Sequence, residues 1–415
     1  MSHAGRRRAV GDSAADQVAA QLARHLGARS GLSRRGFLRG AGVSTFAVTS
    51  SGLLAACGTE GTRQTTSSCQ STDLSEEEKQ LVFSNWPLYL DEKGDGYPTL
   101  ADFEKQTGVS VTYNTDVNDN NQFFAKVRNQ LGACESTERD LFVLTDWMAA
   151  RMVSLGWLQE LDHGNLPNVD DNLVTSLQDP AWDPGRQYSV PWQSGLTGIA
   201  YNAKYTGEVS SFEELVTRPD LKGRVSLLTE MGDTMGFFLR LVGADPGDFA
   251  RDEFDEAIAR LEEVVGSGQV RQFTGNEYAR DLSKGDLVAA EAWSGDVMVL
   301  QDRNPDIKFV LPEEGASLWS DNMLVPNKAT HKTNAEMLMN HYYDPEVAAR
   351  LAAWVWYITP VAGAEEAMEK IDPSLVGNPL IFPTEKDLEN TFAFRNVDLK
   401  TREQYDAEFN RVIGA

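Results

Sequence analysis

Leu141-Phe142-Val143-Leu144-Thr145-Asp146-Trp147 decides the reading of the fold. Its four consecutive apolar residues lack the alternation of a half-exposed strand and fit one covered on both faces, as in a parallel sheet flanked by helices. The run ends in a hydroxyl, a carboxylate and an indole, at the sheet end where open α/β proteins hold their ligands. Upstream, the pattern predicts a strand over 81–85 and a helix over 98–106 stopped by Gly108. Val109, Val111 and Tyr113 then alternate as a strand, and Phe123, Phe124, Val127 and Leu131 recur as the core face of a helix. Downstream, strands are expected over 197–202, 224–228, 287–293, 307–311 and 323–325, and helices over 235–242, 252–265, 334–342 and 345–356. This alternation predicts an α/β protein with largely parallel sheets. At 415 residues the chain exceeds the roughly 250–300 at which one core stops growing, so two lobes are expected. No long linker separates them, which implies that the chain crosses between lobes more than once.

The N-terminus is an address rather than part of the fold. Ser33-Arg34-Arg35-Gly36-Phe37-Leu38-Arg39 reads as a twin-arginine export signal, followed by an apolar run over 41–56 and by Leu54-Ala55-Ala56-Cys57 at the position of a lipoprotein cleavage site. Residues 1–56 are therefore expected to be a signal peptide and Cys57 a lipidated N-terminus on the outer face of the cytoplasmic membrane. Residues 57–78, rich in Gly, Thr, Ser and Gln over 58–73, are expected to form a flexible tether. Of the remaining cysteines, Cys69 and Cys134 form a possible disulfide in an oxidising compartment. The leader holds eight Arg and two Asp, which leaves the mature chain 30 basic and 60 acidic residues and a formal charge of −30. Such a surface argues against nucleic acid and anionic headgroups as partners and suits a cation.

Enzymatic templates are absent from the sequence. His163, His331 and His341 form no metal-binding spacing, and there is no G-x-S-x-G elbow, phosphate-binding loop or dinucleotide fingerprint. No cofactor is expected. What recurs is an aromatic beside a carboxylate or hydroxyl near a strand end: Asn85-Trp86-Pro87-Leu88-Tyr89, Thr145-Asp146-Trp147, Ala292-Trp293-Ser294-Gly295-Asp296 and Leu318-Trp319-Ser320-Asp321. In the last, Trp319 and Asp321 fall on one side of an extended segment. A ring face and an anion attract the same ammonium group. Glu230 and Asp233 add an acidic pair on a loop expected before a helix, where two close carboxylates raise each other's pKa unless a cation joins them.

The order of these segments, with Pro191-Trp192 between them, resembles the spermidine/putrescine-binding proteins of bacterial ABC transporters over roughly residues 81–413. The resemblance implies a two-lobed type II periplasmic-binding-protein fold with a ligand cleft between the lobes. It assigns residues 79–198 and 320–365 to lobe one, and 199–319 and 366–415 to lobe two. By position it implies that Trp86, Tyr89, Trp293, Trp319 and Tyr357 stack on a polyamine, that Asp321 holds one amine, and that Glu230 with Asp233 holds another. Thr145 and Trp147 match a Ser and a Tyr of that family. Arg395 stands where some members have a Gln near the ligand, and a guanidinium there would repel an amine or take a carboxylate. The implied partners are a cationic small molecule and an ABC permease with its ATPase. Two other readings accompany this one: the same fold holding an amino-acid-like zwitterion through Arg395, and a surface-anchored hydrolase or sensor.

Overall fold

The structure, a computed structural model, describes residues 69, 71–94 and 96–414. The twin-arginine segment, Cys57 and the tether as far as residue 68 lie outside the described residues. Ten strands are present: β1 (Gln80–Ser84), β2 (Ser110–Asn114), β3 (Leu141–Thr145), β4 (Ser189–Asn202), β5 (Val225–Leu228), β6 (Val270–Thr274), β7 (Ala289–Trp293), β8 (Ile307–Val310), β9 (Ala316–Leu324) and β10 (Thr391–Phe392). They run in the order β2-β1-β3-β9-β4-β7-β5-β6, with β8 on β4 and β10 on β9.

Two lobes share this sheet through the long strands β4 and β9. The first half of β4 pairs with the end of β9 at Ser189–Leu324 and Pro191–Asn322, beside β3. The second half pairs with β7 and β8 over residues 197–202. Between them the β4–β9 register shifts after Pro191, which has no N–H to give to the ladder. Buried side chains form two clusters that do not divide strictly by lobe, since Leu228, Tyr278 and Trp293 join the first. One core gathers Phe83, Phe123 and Leu141 to Leu144, and a second gathers Phe212, Phe237, Phe254 and Tyr405.

Local rules explain the elements that the pattern anticipates. Pro98 opens the helix Pro98–Thr107, and Gly108 closes it in the left-handed region at φ 73°. Asp119 caps Asn120–Gly132 by accepting from the Gln122 N–H, and that helix buries Phe123, Phe124, Val127 and Leu131. The expectation of largely parallel sheets needs correction. Pairs β1–β2, β1–β3, β5–β6, β5–β7 and β9–β10 are parallel, but β3–β9 and every pair made by β4 are antiparallel. One crossing strand leaves the first lobe and the other returns to it, so the two must run oppositely. Both also start earlier than expected. Gly195 and Gly198 interrupt the β signal of β4, and polar Ser317, Ser320 and Asp321 interrupt that of β9.

The N-terminal boundary also shifts. Residues 69 and 71–78, expected to be free tether, are fastened to the first lobe. Cys69 is disulfide-bonded to Cys134 across a sequence separation of 65, and the Leu74 N–H donates to the Thr330 carbonyl at 2.7 Å. Asp73 Oδ2 accepts from the Thr333 N–H at 3.1 Å, and Ser75 Oγ accepts from the Asn334 N–H at 3.1 Å. The helix Lys332–Tyr342 has no cap from its own preceding residue, so a distant segment satisfies its first N–H groups. Asp73→Ala is expected to lower stability by about 1 kcal/mol, the usual worth of such a cap, read as a small fall in the thermal midpoint. At the other end, Ala367, Met368, Leu375 and Ile381 join the first core, while Phe392 and Phe409 join the second. The chain thus passes from the first buried cluster to the second between residues 381 and 392.

Candidate functional site

β3 and β9 bring the first half of the site together. Thr145 and Asp321 are register partners, so their side chains stand next to each other on one face of the sheet. Thr145 Oγ1 donates to Asp321 Oδ1 at 2.7 Å, and the Tyr89 hydroxyl donates to Oδ2 at 2.9 Å. Burial pushes the Asp321 carboxyl up to about 7, against the pull of these two hydrogen bonds and with further repulsion from Asp146 and Asp233.

The opposite wall comes from the second lobe. Its helix begins at Met231, four residues before the expected 235, which makes Glu230 the residue preceding the helix and puts Asp233 in the first turn rather than on a loop. Gly232 and Gly236 lower the helix signal there. Asp233 accepts from Ser317 Oγ at 2.8 Å and from Trp293 Nε1 at 3.1 Å, and burial raises its pKa. Glu230 accepts from the backbone N–H and the side-chain amide of Asn120 at 3.2 and 3.0 Å. This places a carboxylate of the second lobe at the N-terminus of a first-lobe helix, where the helix dipole favours negative charge. Burial first, then Asp119 and Asp233, push Glu230 up to about 8.

Between the walls lies a cavity of about 160 Å³. That is on the order of ten water-sized volumes, enough for a slender chain. Trp86 and Trp293 meet edge to face at 6.4 Å, Tyr89 and Tyr357 at 5.2 Å, and Trp319 lies tilted 5.5 Å from Tyr357. The Trp86, Trp293 and Trp319 N–H groups are spent on the Val143 carbonyl, Asp233 and Thr197 Oγ1 respectively, which leaves ring faces for a ligand. An added Cβ at Gly195 would run into the Trp319 ring, and one at Gly295 into the Tyr357 ring. Both glycines are therefore required by close approach.

The cavity brings together ten of the eleven residues anticipated for the ligand: Trp86, Tyr89, Thr145, Trp147, Glu230, Asp233, Trp293, Trp319, Asp321 and Tyr357 all line it. Arg395 does not. Its guanidinium lies 4.4 Å above the Phe249 ring, 3.8 Å from Asp248, while its neighbours Phe394 and Asn396 line the cavity. The Arg395 side chain is drawn instead to Phe249 and Asp248. Asp296 was visible in the Trp293-Ser294-Gly295-Asp296 motif, but no role was read from it. It accepts from the hydroxyls of Tyr357 at 3.1 Å and Tyr278 at 2.9 Å and from the Asn276 amide at 2.8 Å, and burial raises its pKa. Asn120 and Asn276 carried no sequence signal, since each reaches the site only through packing of the lobes. Among the described residues, five carboxylates (Asp146, Glu230, Asp233, Asp296 and Asp321) and no basic side chain line the cavity. Among the described residues no cluster of three or more His, Cys, Asp or Glu is arranged to hold a metal ion.

Residues 99–377 match the family of bacterial extracellular solute-binding proteins. The chain belongs to that family. The putrescine-binding periplasmic protein PotF of Escherichia coli is 30% identical over 318 residues, covering 70% of this chain and 82% of the relative. Spermidine/putrescine-binding periplasmic protein 1 of Haemophilus influenzae is 26% identical over 331 residues, 79% of this chain and 89% of its own. A solved ABC-transporter structure from Listeria monocytogenes superposes with a TM-score of 0.71 at 26% identity, covering 81% of this chain and 99% of that one. These likenesses establish a two-lobed solute-binding protein and agree with the resemblance drawn from the strand-end aromatics.

Proposed function

We propose that this solute-binding protein captures a linear di- or polyamine in the inter-lobe cavity and delivers it to an ABC permease. The observation that carries the reading is the lining itself: among the described residues, five carboxylates, five aromatic rings packed edge to face or tilted, and no basic side chain. Carboxylates in that position are disfavoured as anions until a cation arrives, and aromatic faces add cation–π attraction once it is desolvated. Two such contacts at about 2 kcal/mol each and charge-assisted hydrogen bonds at roughly 1.5–3 kcal/mol each reach the approximately 8 kcal/mol of a micromolar binder before ordering costs. The names of the relatives point the same way. The zwitterion reading relied on Arg395, which stands outside the cavity.

Calorimetry of the purified protein with putrescine, spermidine and spermine tests the proposal; folded protein that releases no heat with any of them would sink it. The twin-arginine leader and Cys57 support delivery from a lipid anchor outside the cytoplasmic membrane. Cys57→Ser should then move the protein from the membrane to the soluble fraction, and unchanged fractionation would argue against the anchor.

A further inference from the structure

The C-terminal helix Leu399–Ile413, which the periodicity of the sequence did not single out, carries Arg402 to the seam between the lobes. Arg402 is buried at 5% exposure, and its guanidinium carbon lies 3.6 Å from the centroid of the Trp147 ring. Its Nε donates to Asp406 at 2.9 Å, its charge also acts on Glu230, and its Nη2 has no hydrogen-bond partner in the protein. Trp147 opens the first-lobe helix Asp146–Leu155, whereas Glu230 and Arg402 belong to the side of the second core.

Trp147 and Glu230 have the composition of an ammonium site, one ring face beside one carboxylate. In this chain Arg402, which is not among the residues lining the cavity, lies against the Trp147 ring and its charge acts on that carboxylate, and Glu230 also accepts from the backbone and the side chain of Asn120. A guanidinium stays charged in any accessible pH range and stacks on indole more readily than an ammonium does. The other carboxylates of the cavity are Asp321 with Asp146 on one wall and Asp233 with Asp296 on the other.

We infer that Arg402 is a specificity-determining residue: an internal cation set behind the Trp147–Glu230 end of the cavity, so that the cleft accepts a ligand with two cationic ends and repels a third. The inference rests on the amine reading of the cleft. Specificity of this kind comes from a built-in repulsion as much as from attraction.

Calorimetry with putrescine and spermidine on the purified protein and on Arg402→Met and Arg402→Lys tests it. The wild type is expected to prefer the diamine by about tenfold or more, Arg402→Met to shift that ratio toward the triamine by about tenfold, and Arg402→Lys, which keeps the charge, to hold the wild-type ratio. Equal affinity of the wild type for both amines would overturn the inference while leaving the amine reading intact. So would an Arg402→Met variant that weakens both ligands in the same proportion, the behaviour of a residue that only holds the lobes together. Should Arg402→Met fail to fold, the wild-type ratio and Arg402→Lys still decide. Binding of neither amine by the folded wild type overturns the reading of the cleft and this inference with it.

Discussion

Asp321→Asn is expected to raise the dissociation constant for a diamine by about two to three orders of magnitude, the equivalent of roughly 3–5 kcal/mol. The substitution keeps the shape of the side chain and removes its charge, which leaves a desolvated ammonium with neutral partners. Thr145 and Tyr89, which now donate to Asp321, cannot replace the anion. The unliganded protein should be as stable as the wild type or more so, because a buried carboxylate without a salt-bridge partner is a cost of the empty cleft. Calorimetric titration and thermal unfolding of the same preparation separate the two effects. A variant that binds within a few-fold of the wild type would remove Asp321 from the amine pocket.

The second large effect is on pH. Burial holds Asp321 at about 7 and Glu230 and Glu291 at about 8, with Asp146 at about 6. Each lies above its unfolded value of about 4, so between that value and the folded pKa the native state binds more protons than the unfolded chain. Stability of the unliganded protein therefore falls as pH rises from about 5 to 8, by up to about 1.4 kcal/mol per unit for each proton involved. Amine binding has the opposite sign. The bound cation requires ionised Asp321, so below pH 7 binding must expel its proton, and the dissociation constant should rise about tenfold per unit of acidification. Above pH 8 the affinity should level off. Titrations at pH 5 to 8 in buffers of different ionisation enthalpy would report both the affinity and the proton released. A dissociation constant flat across that range would contradict the placement of a protonated Asp321 in the empty cleft.

The legibility of the site follows from its chemistry. Trp86, Tyr89, Trp293, Trp319 and Asp321 were readable because large aromatics next to acids near strand ends are a poor way to build a core and a good way to line a cleft. Asp296 lay in a quoted motif and still escaped, since its burial comes from Tyr278, Asn276 and Tyr357. Those three are 18, 20 and 61 residues away along the chain. Arg395 was misplaced for the complementary reason. Position in a chain locates a residue near the site, whereas packing decides which side it faces, here onto the Phe249 ring.

Local pattern is enough for the α/β class of the fold, for the helix faces and stops around Gly108 and Phe123, and for the aromatic and acidic character of the residues that line the cleft. These are local properties, set by period, turn chemistry and charge within a few residues. The tertiary structure alone shows that β4 and β9 cross antiparallel between the lobes, that residues 69 and 71–78 are fastened by Asp73 and the Cys69–Cys134 bridge, and that Arg402 lies on Trp147. Each of those joins residues far apart in the chain, and such contacts depend on how the two cores close on one another rather than on any pattern within one segment.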